Sequence, residues 1–523
     1  MIFKCRDARL CVSKYKVYKG GVPMSLTNPW SIILFIALST VAVSYGWGMR
    51  GTTLGGEKGA MLPGALMGLL IAVFSGSPFL LEHFYLLSAA GALAMYPGGS
   101  MSYAQTIGLG IDQNPPSNLK RSLVGLGIKG AIWFGIFGAV TGMFLTFLAR
   151  GYNLKAVVTI FGCMPPAALL GSQLFDRPFD EKKGIHPKIY FSRTRPEGMG
   201  VLFGILVELV VVAAVHRDSV ALWLTLGSTL SGGFGWVLSQ LMQIRGIYPN
   251  KKGRQFLAGP FKRGWIDAWK IMECGLGAIA GLGISATFVL IVKFVPRYHA
   301  EYFNSIPQPL EIKPWILPTI FVALLAADMV KYIVKRPKTE KELRYMRLRG
   351  WLSDAELELA LQKAGKEPSK AWLLYEKIAH TAEFPIYCYI PLLFLFLGSA
   401  GAAKLVSFYV LWYVLVEQQA LERFNRFKTI VLWRIALLGA GFFVIFAQFY
   451  WGWTPGLLPT VLLYGVGYEA LTLVGNIAKN SPDRYGRKTI KESSLREAYG
   501  SLVTVHGYFL VCIAAITVFA ALV

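Results

Sequence analysis

Three carboxylates interrupt otherwise apolar runs: Glu208 in Ile205-Leu-Val-Glu-Leu-Val-Val-Val, Asp328 in Leu324-Leu-Ala-Ala-Asp-Met-Val, and Glu469 in Tyr464-Gly-Val-Gly-Tyr-Glu-Ala-Leu. A carboxylate at the centre of a membrane helix costs about 2.5 kcal/mol or more, so it is expected to face a partner or a cavity inside the bundle. Burial that raises its pKa would let it carry a proton. Glu208, Asp328 and Glu469 are therefore the proton-coupling candidates, against the plainer reading of each as a hydrogen-bonded structural carboxyl.

The most unusual stretch runs from Tyr45 to Gly64, with seven glycines, one proline, two threonines and the charges Arg50, Glu57 and Lys58 between apolar runs. Backbone of that kind cannot face lipid, because unpaired N–H and C=O groups must be covered by protein or water. Broken helices with this character form solute sites in transporters. The small residues Gly51, Thr52, Thr53, Gly55 and Gly56 would let a tight turn bring Arg50 and Glu57 to one ligand, with Trp47 as an apolar wall. An anion would suit the planar donor fork of Arg50. The bland alternative is a polar loop in which Arg50 meets headgroups and Glu57 caps the next helix. A second polar stretch, from Gly98 through Gln105 to Asp112 and Asn118, is also too rich in glycine and proline for a regular helix. It adds Gln105 and Asp112 to the substrate-binding candidates.

Other chemistries find little support. The chain lacks G-x-x-x-x-G-K-[ST] and G-x-S-x-G, which disfavours direct ATP-driven transport and a serine-hydrolase site. Its six cysteines and six histidines are scattered without ligand spacing, so neither a metal nor another cofactor is expected.

The elements that must position these residues are membrane helices. Of 523 residues, 54% are hydrophobic and 16% charged, against about a quarter charged in a soluble domain. Apolar runs of spanning length recur from Trp30 to Trp47 through Leu123 to Leu148 to Leu502 to Val523. They predict an all-α polytopic bundle of about 13 or 14 segments, with a re-entrant or broken helix expected near residues 50–65. The expected division is a basic N-terminal segment (1–29), a first membrane bundle (30–334), a cytoplasmic helical insert (335–380) and a second bundle (381–523). Within the insert, Ser353-Asp-Ala-Glu356 is a capping box that predicts a helix start.

The net charge of +24 is spread over the connections, which argues against nucleic acid and for anionic lipid headgroups as partners. Basic segments at 176–197, 243–270, 335–377 and 479–496 are expected on the cytoplasmic face, in a cell (inner) membrane. Counting back from Asp176 puts the N-terminus outside despite Lys4, Arg6, Arg9, Lys14, Lys16 and Lys19. Either a re-entrant stretch among the first three apolar runs or a start at Met24 would reconcile this. The motifs Gly64-x-x-x-Gly68, Gly138-x-x-x-Gly142 and Gly277-x-x-x-Gly281 read as helix-packing positions. The pairs Gly46-Trp47 and Gly235-Trp236, each followed by a glutamate (Glu57, Glu273) and a glycine helix, suggest a trace of internal repetition.

Many spans, broken segments and intramembrane carboxylates together point to a secondary transporter or channel-like carrier for a small molecule. The alternatives are a membrane-embedded enzyme acting on a lipid or lipid-linked substrate, using Arg50, Glu57 and Asp112, or a noncatalytic subunit of a membrane complex.

Overall fold

The computed structural model describes residues 28–50, 59–112, 117–180, 183–249, 268–295, 354–364, 388–398 and 400–412, with scattered positions between them. The protein is all-α, 80% helical, without a strand among the described residues. The helices, in chain order, are α1 (Pro29–Arg50), α2 (Met61–Phe74), α3 (Pro78–Glu82), α4 (Phe84–Met95), α5 (Tyr103–Gly110), α6 (Leu119–Leu148), α7 (Leu154–Gly171), α8 (Met199–Val215), α9 (Ser219–Ile247), α10 (Ala268–Phe294), α11 (Asp354–Ala364), α12 (Ile390–Leu397) and α13 (Ala400–Trp412). α11 starts within the expected capping box.

Helices α1, α6, α7 with its last turn to Asp176, α9 and α10 are long and apolar enough to cross a membrane, and α2 and α8 are shorter apolar helices. The polarity of α9 explains why the bundle needs lipid. One face carries Trp223, Leu226, Leu230, Phe234, Leu238 and Leu241 at 37% to 62% exposure. The opposite face buries Ser228, Ser231, Gly232, Gly235, Trp236, Ser239, Gln240 and Gln243. Large apolar groups point out and small or polar groups point in, the reverse of a water-soluble helix.

Glycine sets the close contacts. A Cβ at Gly64 would stand 2.2 Å from the Gly91 carbonyl oxygen, and one at Gly138 would stand 2.4 Å from that of Leu224. At Gly277 it would stand 2.4 Å from the Val43 carbonyl oxygen. All three small-xxx-small motifs thus lie at helix crossings: α2 on α4, α6 on α9, and α10 on α1. The paired positions along each crossing run in opposite senses, so these pairs are antiparallel.

One end of the bundle gathers the C-termini of α1 and α9 and the N-termini of α2, α6 and α10. The same end receives the 176–197 segment, since Arg121 at the start of α6 donates to the Tyr190 carbonyl at 2.7 Å. Tyr248, just past α9, reaches the Ile111 carbonyl there at 3.0 Å. The basic 176–197 stretch and the 243–270 boundaries therefore share a face. The start of α1 lies at the opposite end, and α1, α2 and the α4–α5 pair cross in simple alternation. The segment 51–58 and residues 1–25 lie outside the described residues.

Candidate functional site

Helices α4 and α5 stack end to end along α6 as one discontinuous crossing. Gly91 packs on Phe137, and Trp133 Nε1 donates to the Met95 carbonyl at 2.8 Å. Further along, Ser122 Oγ donates to the Thr106 carbonyl at 2.7 Å. Between them Pro97–Ser100 forms a short 3-10 turn with Pro97, Gly98 and Gly99 buried. The break falls halfway along α6. Gly98 is required there, because a Cβ would sit 2.1 Å from the Trp133 ring.

An aromatic centre surrounds the break. Trp47 from α1, Trp133 from α6 and Trp236 from α9 are 0%, 0% and 1% exposed. The Trp47 centroid lies 5.2 Å from Trp133 and 6.0 Å from Trp236, in edge-to-face contact. Tyr103, the first residue of α5, packs 5.8 Å from Trp133 and 5.5 Å from Trp236. The two glycine-tryptophan pairs seen in the sequence thus converge on one point.

Two buried ion pairs flank this centre. Lys129, one helical turn from Trp133, pairs with Glu197 at the base of the 176–197 segment and donates to Thr106 Oγ1 at 2.7 Å. Glu197 also accepts the Phe191 N–H at 2.8 Å. Near the start of α10, Lys270 Nζ contacts Glu273 at 2.5 Å and the Gly48 carbonyl at 2.6 Å. Each lysine therefore has a carboxylate of its own. No family model, curated protein or solved structure matches the chain. What the site does must be argued from its own geometry.

The sequence candidates disperse. Trp47 lies in the aromatic centre. Arg50 ends α1, but its side chain and Glu57 lie outside the described residues, and so does their expected meeting. Gln105 does not face the centre: its Oε1 accepts the backbone N–H groups of Arg193 and Thr194 at 3.0 Å each and Arg195 at 3.3 Å. It fastens the 193–195 loop to α5. Asp112 lies in the surface connection, 2.8 Å from Ser117 Oγ and 3.5 Å from the Arg193 guanidinium. The Ser117 hydroxyl, helped by Arg193, holds its carboxyl below the ordinary carboxylate pKa.

Glu208 is 8% exposed and neither oxygen has a hydrogen-bond partner. It faces a groove of about 380 Å³ between α7 and α8, beside Thr159, Cys163, Phe203 and His216, and not the aromatic centre. Glu208 is thus buried, but among the described residues it faces the α7–α8 groove. Asp328 and Glu469 lie outside the described residues. Sequence reading passed over Lys129, Glu197, Lys270, Trp133, Gln240 and Gln243. The usable signal was Lys129, a cation inside the apolar run Leu123–Leu148.

Proposed function

We propose that this multi-pass membrane protein is a secondary transporter whose solute path follows the discontinuous α4–α5 crossing past the aromatic centre. The break at Pro97–Ser100 carries the reading. Irregular backbone at membrane depth is stable only where protein or a wet cavity covers it, and interrupted helices of this kind hold solutes in carriers. The face receiving the basic 176–197 segment is the cytoplasmic one by the positive-inside rule. The rings of Trp47, Trp133, Trp236 and Tyr103 close the centre, so passage requires them to part. Glu208 is the described carboxyl suited to couple a proton.

The test is uptake of labelled polar solutes by liposomes carrying the purified full chain, with a pH gradient imposed. Accumulation above protein-free liposomes is expected, with its gradient dependence lost in Glu208→Gln and flux lost in Gly98→Val. One observation favours the second reading, an enzyme acting on a lipid or lipid-linked substrate. The α7–α8 groove is bordered by Leu170, Leu174, Phe203, Val207 and Val211, all 38% to 64% exposed, so it opens sideways toward lipid. Chemical turnover of an added lipid-linked substrate, with no solute flux, would decide for the enzyme.

A further inference from the structure

On α9, Trp236, Gln240 and Gln243 stand at i, i+4 and i+7, one stripe on one face of the helix. They are 1%, 0% and 0% exposed. Trp236 Nε1, Gln240 Oε1 and both polar atoms of Gln243 have no hydrogen-bond partner. Gln240 Nε2 makes the stripe's one long contact, 3.5 Å to the Ile107 carbonyl of α5. Leaving a buried donor or acceptor unmade costs about 1–3 kcal/mol. Four such atoms in register, beside Ser231 and Ser239 bonded to their own backbone at Gly227 and Trp236 and with Ser228 Oγ also unpartnered, leave a buried row of unmet groups for a ligand to complete.

The chemistry of that partner follows from the inventory. The unmet groups are an indole N–H, a carboxamide carbonyl and one whole carboxamide, all neutral. The nearby charges are compensated within the protein, Lys129 by Glu197 and Lys270 by Glu273. A charged ligand would find no described countercharge here. The Trp236 ring also belongs to the box with Trp47, Trp133 and Tyr103, and such ring faces pack against flat, weakly polar C–H surfaces. Donors and acceptors in alternation beside aromatic faces match a ring bearing hydroxyl groups along its edge.

We propose that Trp236, Gln240 and Gln243 are the recognition stripe for a neutral cyclic polyol, of the monosaccharide or inositol kind. The assignment rests on the transporter reading for the route by which the ligand arrives, and it replaces the anion that Arg50 suggested in the sequence.

The experiment uses the purified full chain in a detergent without a sugar headgroup. Tryptophan fluorescence and thermal unfolding are followed on adding glucose, mannose or myo-inositol, with gluconate and glucosamine as charged controls. Saturable binding is expected for at least one neutral probe and for neither charged one. Gln240→Leu and Gln243→Leu should each weaken it about tenfold, about 1.4 kcal/mol, while the empty variants unfold at or above the wild-type temperature. A lowered unfolding temperature would mark the glutamines as structural and overturn the assignment. So would wild-type affinity in Gln243→Leu, or failure of all three neutral probes. Binding without uptake in liposomes would refute transport and leave the stripe standing; uptake of charged solutes alone would do the reverse.

Discussion

The two buried lysine-glutamate pairs use the same chemistry to different ends. Lys129 and Glu197 come from α6 and from a segment far along the chain, at 1% and 0% side-chain exposure. Their union, with the Thr106 hydroxyl and the Phe191 N–H, clamps the 191–197 stretch across α5 and α6. Lys270 and Glu273 are three residues apart on α10, at 5% and 8% exposure, and Lys270 also donates to the Gly48 carbonyl of α1. A buried ion pair adds little net stability over an apolar pair, yet removing one partner strands a charge in low dielectric. The contrast lies in sequence separation and burial: the first pair closes a distant segment onto α6, and the second joins neighbours on α10 beside the end of α1.

The largest expected effect is therefore at the first pair. Lys129→Met or Glu197→Gln should destabilise the protein by about 3–5 kcal/mol, read by unfolding in micelles. The double variant Lys129→Met/Glu197→Leu should recover most of that loss. Wild-type stability in either single variant would remove the distinction between the pairs. Lys270→Met should cost less, about 1–3 kcal/mol, because this pair is more exposed than the first. Its sharper signature should be raised reactivity of a cysteine placed at Gly48, with no change for one placed at Ser192.

Helix crossings supply a comparison of similar size. Gly277→Ala would press a methyl within 2.4 Å of the Val43 carbonyl and should cost about 1–3 kcal/mol through overpacking. Gly162→Ala in α7, where a Cβ meets nothing within 4 Å, should be neutral or slightly stabilising, since alanine outdoes glycine in helices by about 1 kcal/mol. Equal losses at the two sites would mean that the close α1–α10 approach is not what the glycine secures.

These packing glycines were legible because small-xxx-small spacing depends only on the helical period, which is local. The bundle class was legible for the same reason, from run length and hydropathy. Lys129 was not, because a lysine in an apolar run passes for a snorkelling residue until Glu197 is seen beside it. Glu197 itself looked like part of a basic connection; nothing local says that the chain turns inward there. Gln105 misled in the opposite sense. It stands in a glycine-rich polar stretch that does border the centre, but helical phase turns its side chain toward the 193–195 loop. The break was anticipated near residues 50–65, whereas the stretch after Gly98 was expected to lack regular helix and instead forms α5 (Tyr103–Gly110) beyond a short interruption at Pro97–Ser100. Among the described residues it is the second that interrupts a crossing, at a position set by the Trp133 ring on another helix.

The smallest expected effect concerns two carboxylates outside the spans whose pKa values move in opposite directions. Asp218 precedes α9 and is 3% exposed. Its Oδ1 accepts from Ala221 N–H at 2.9 Å and Thr146 Oγ1 at 2.8 Å, and its Oδ2 from Tyr152 Oη at 2.8 Å. Burial nevertheless pushes its pKa up, outweighing these hydrogen bonds. A carboxyl whose pKa is higher folded than unfolded holds its proton more tightly in the folded state. Its stabilising contribution is complete below the unfolded pKa, about 3.9, and is lost as pH rises through the folded value. Asp112, held low chiefly by Ser117, contributes in the other sense: its stabilisation is present above the unfolded pKa and is lost as pH falls through the folded value. Unfolding temperature measured from mild acid to neutral pH should therefore carry a downward slope that Asp218→Asn removes, since asparagine keeps an acceptor for Ala221 without titrating. Asp112→Asn should leave that slope in place and take away only protection lost at lower pH. A slope unchanged in Asp218→Asn would mean that the α9 cap does not titrate against its own burial, and that the hydrogen bonds from Thr146, Tyr152 and Ala221 are enough to keep the carboxylate charged where it sits.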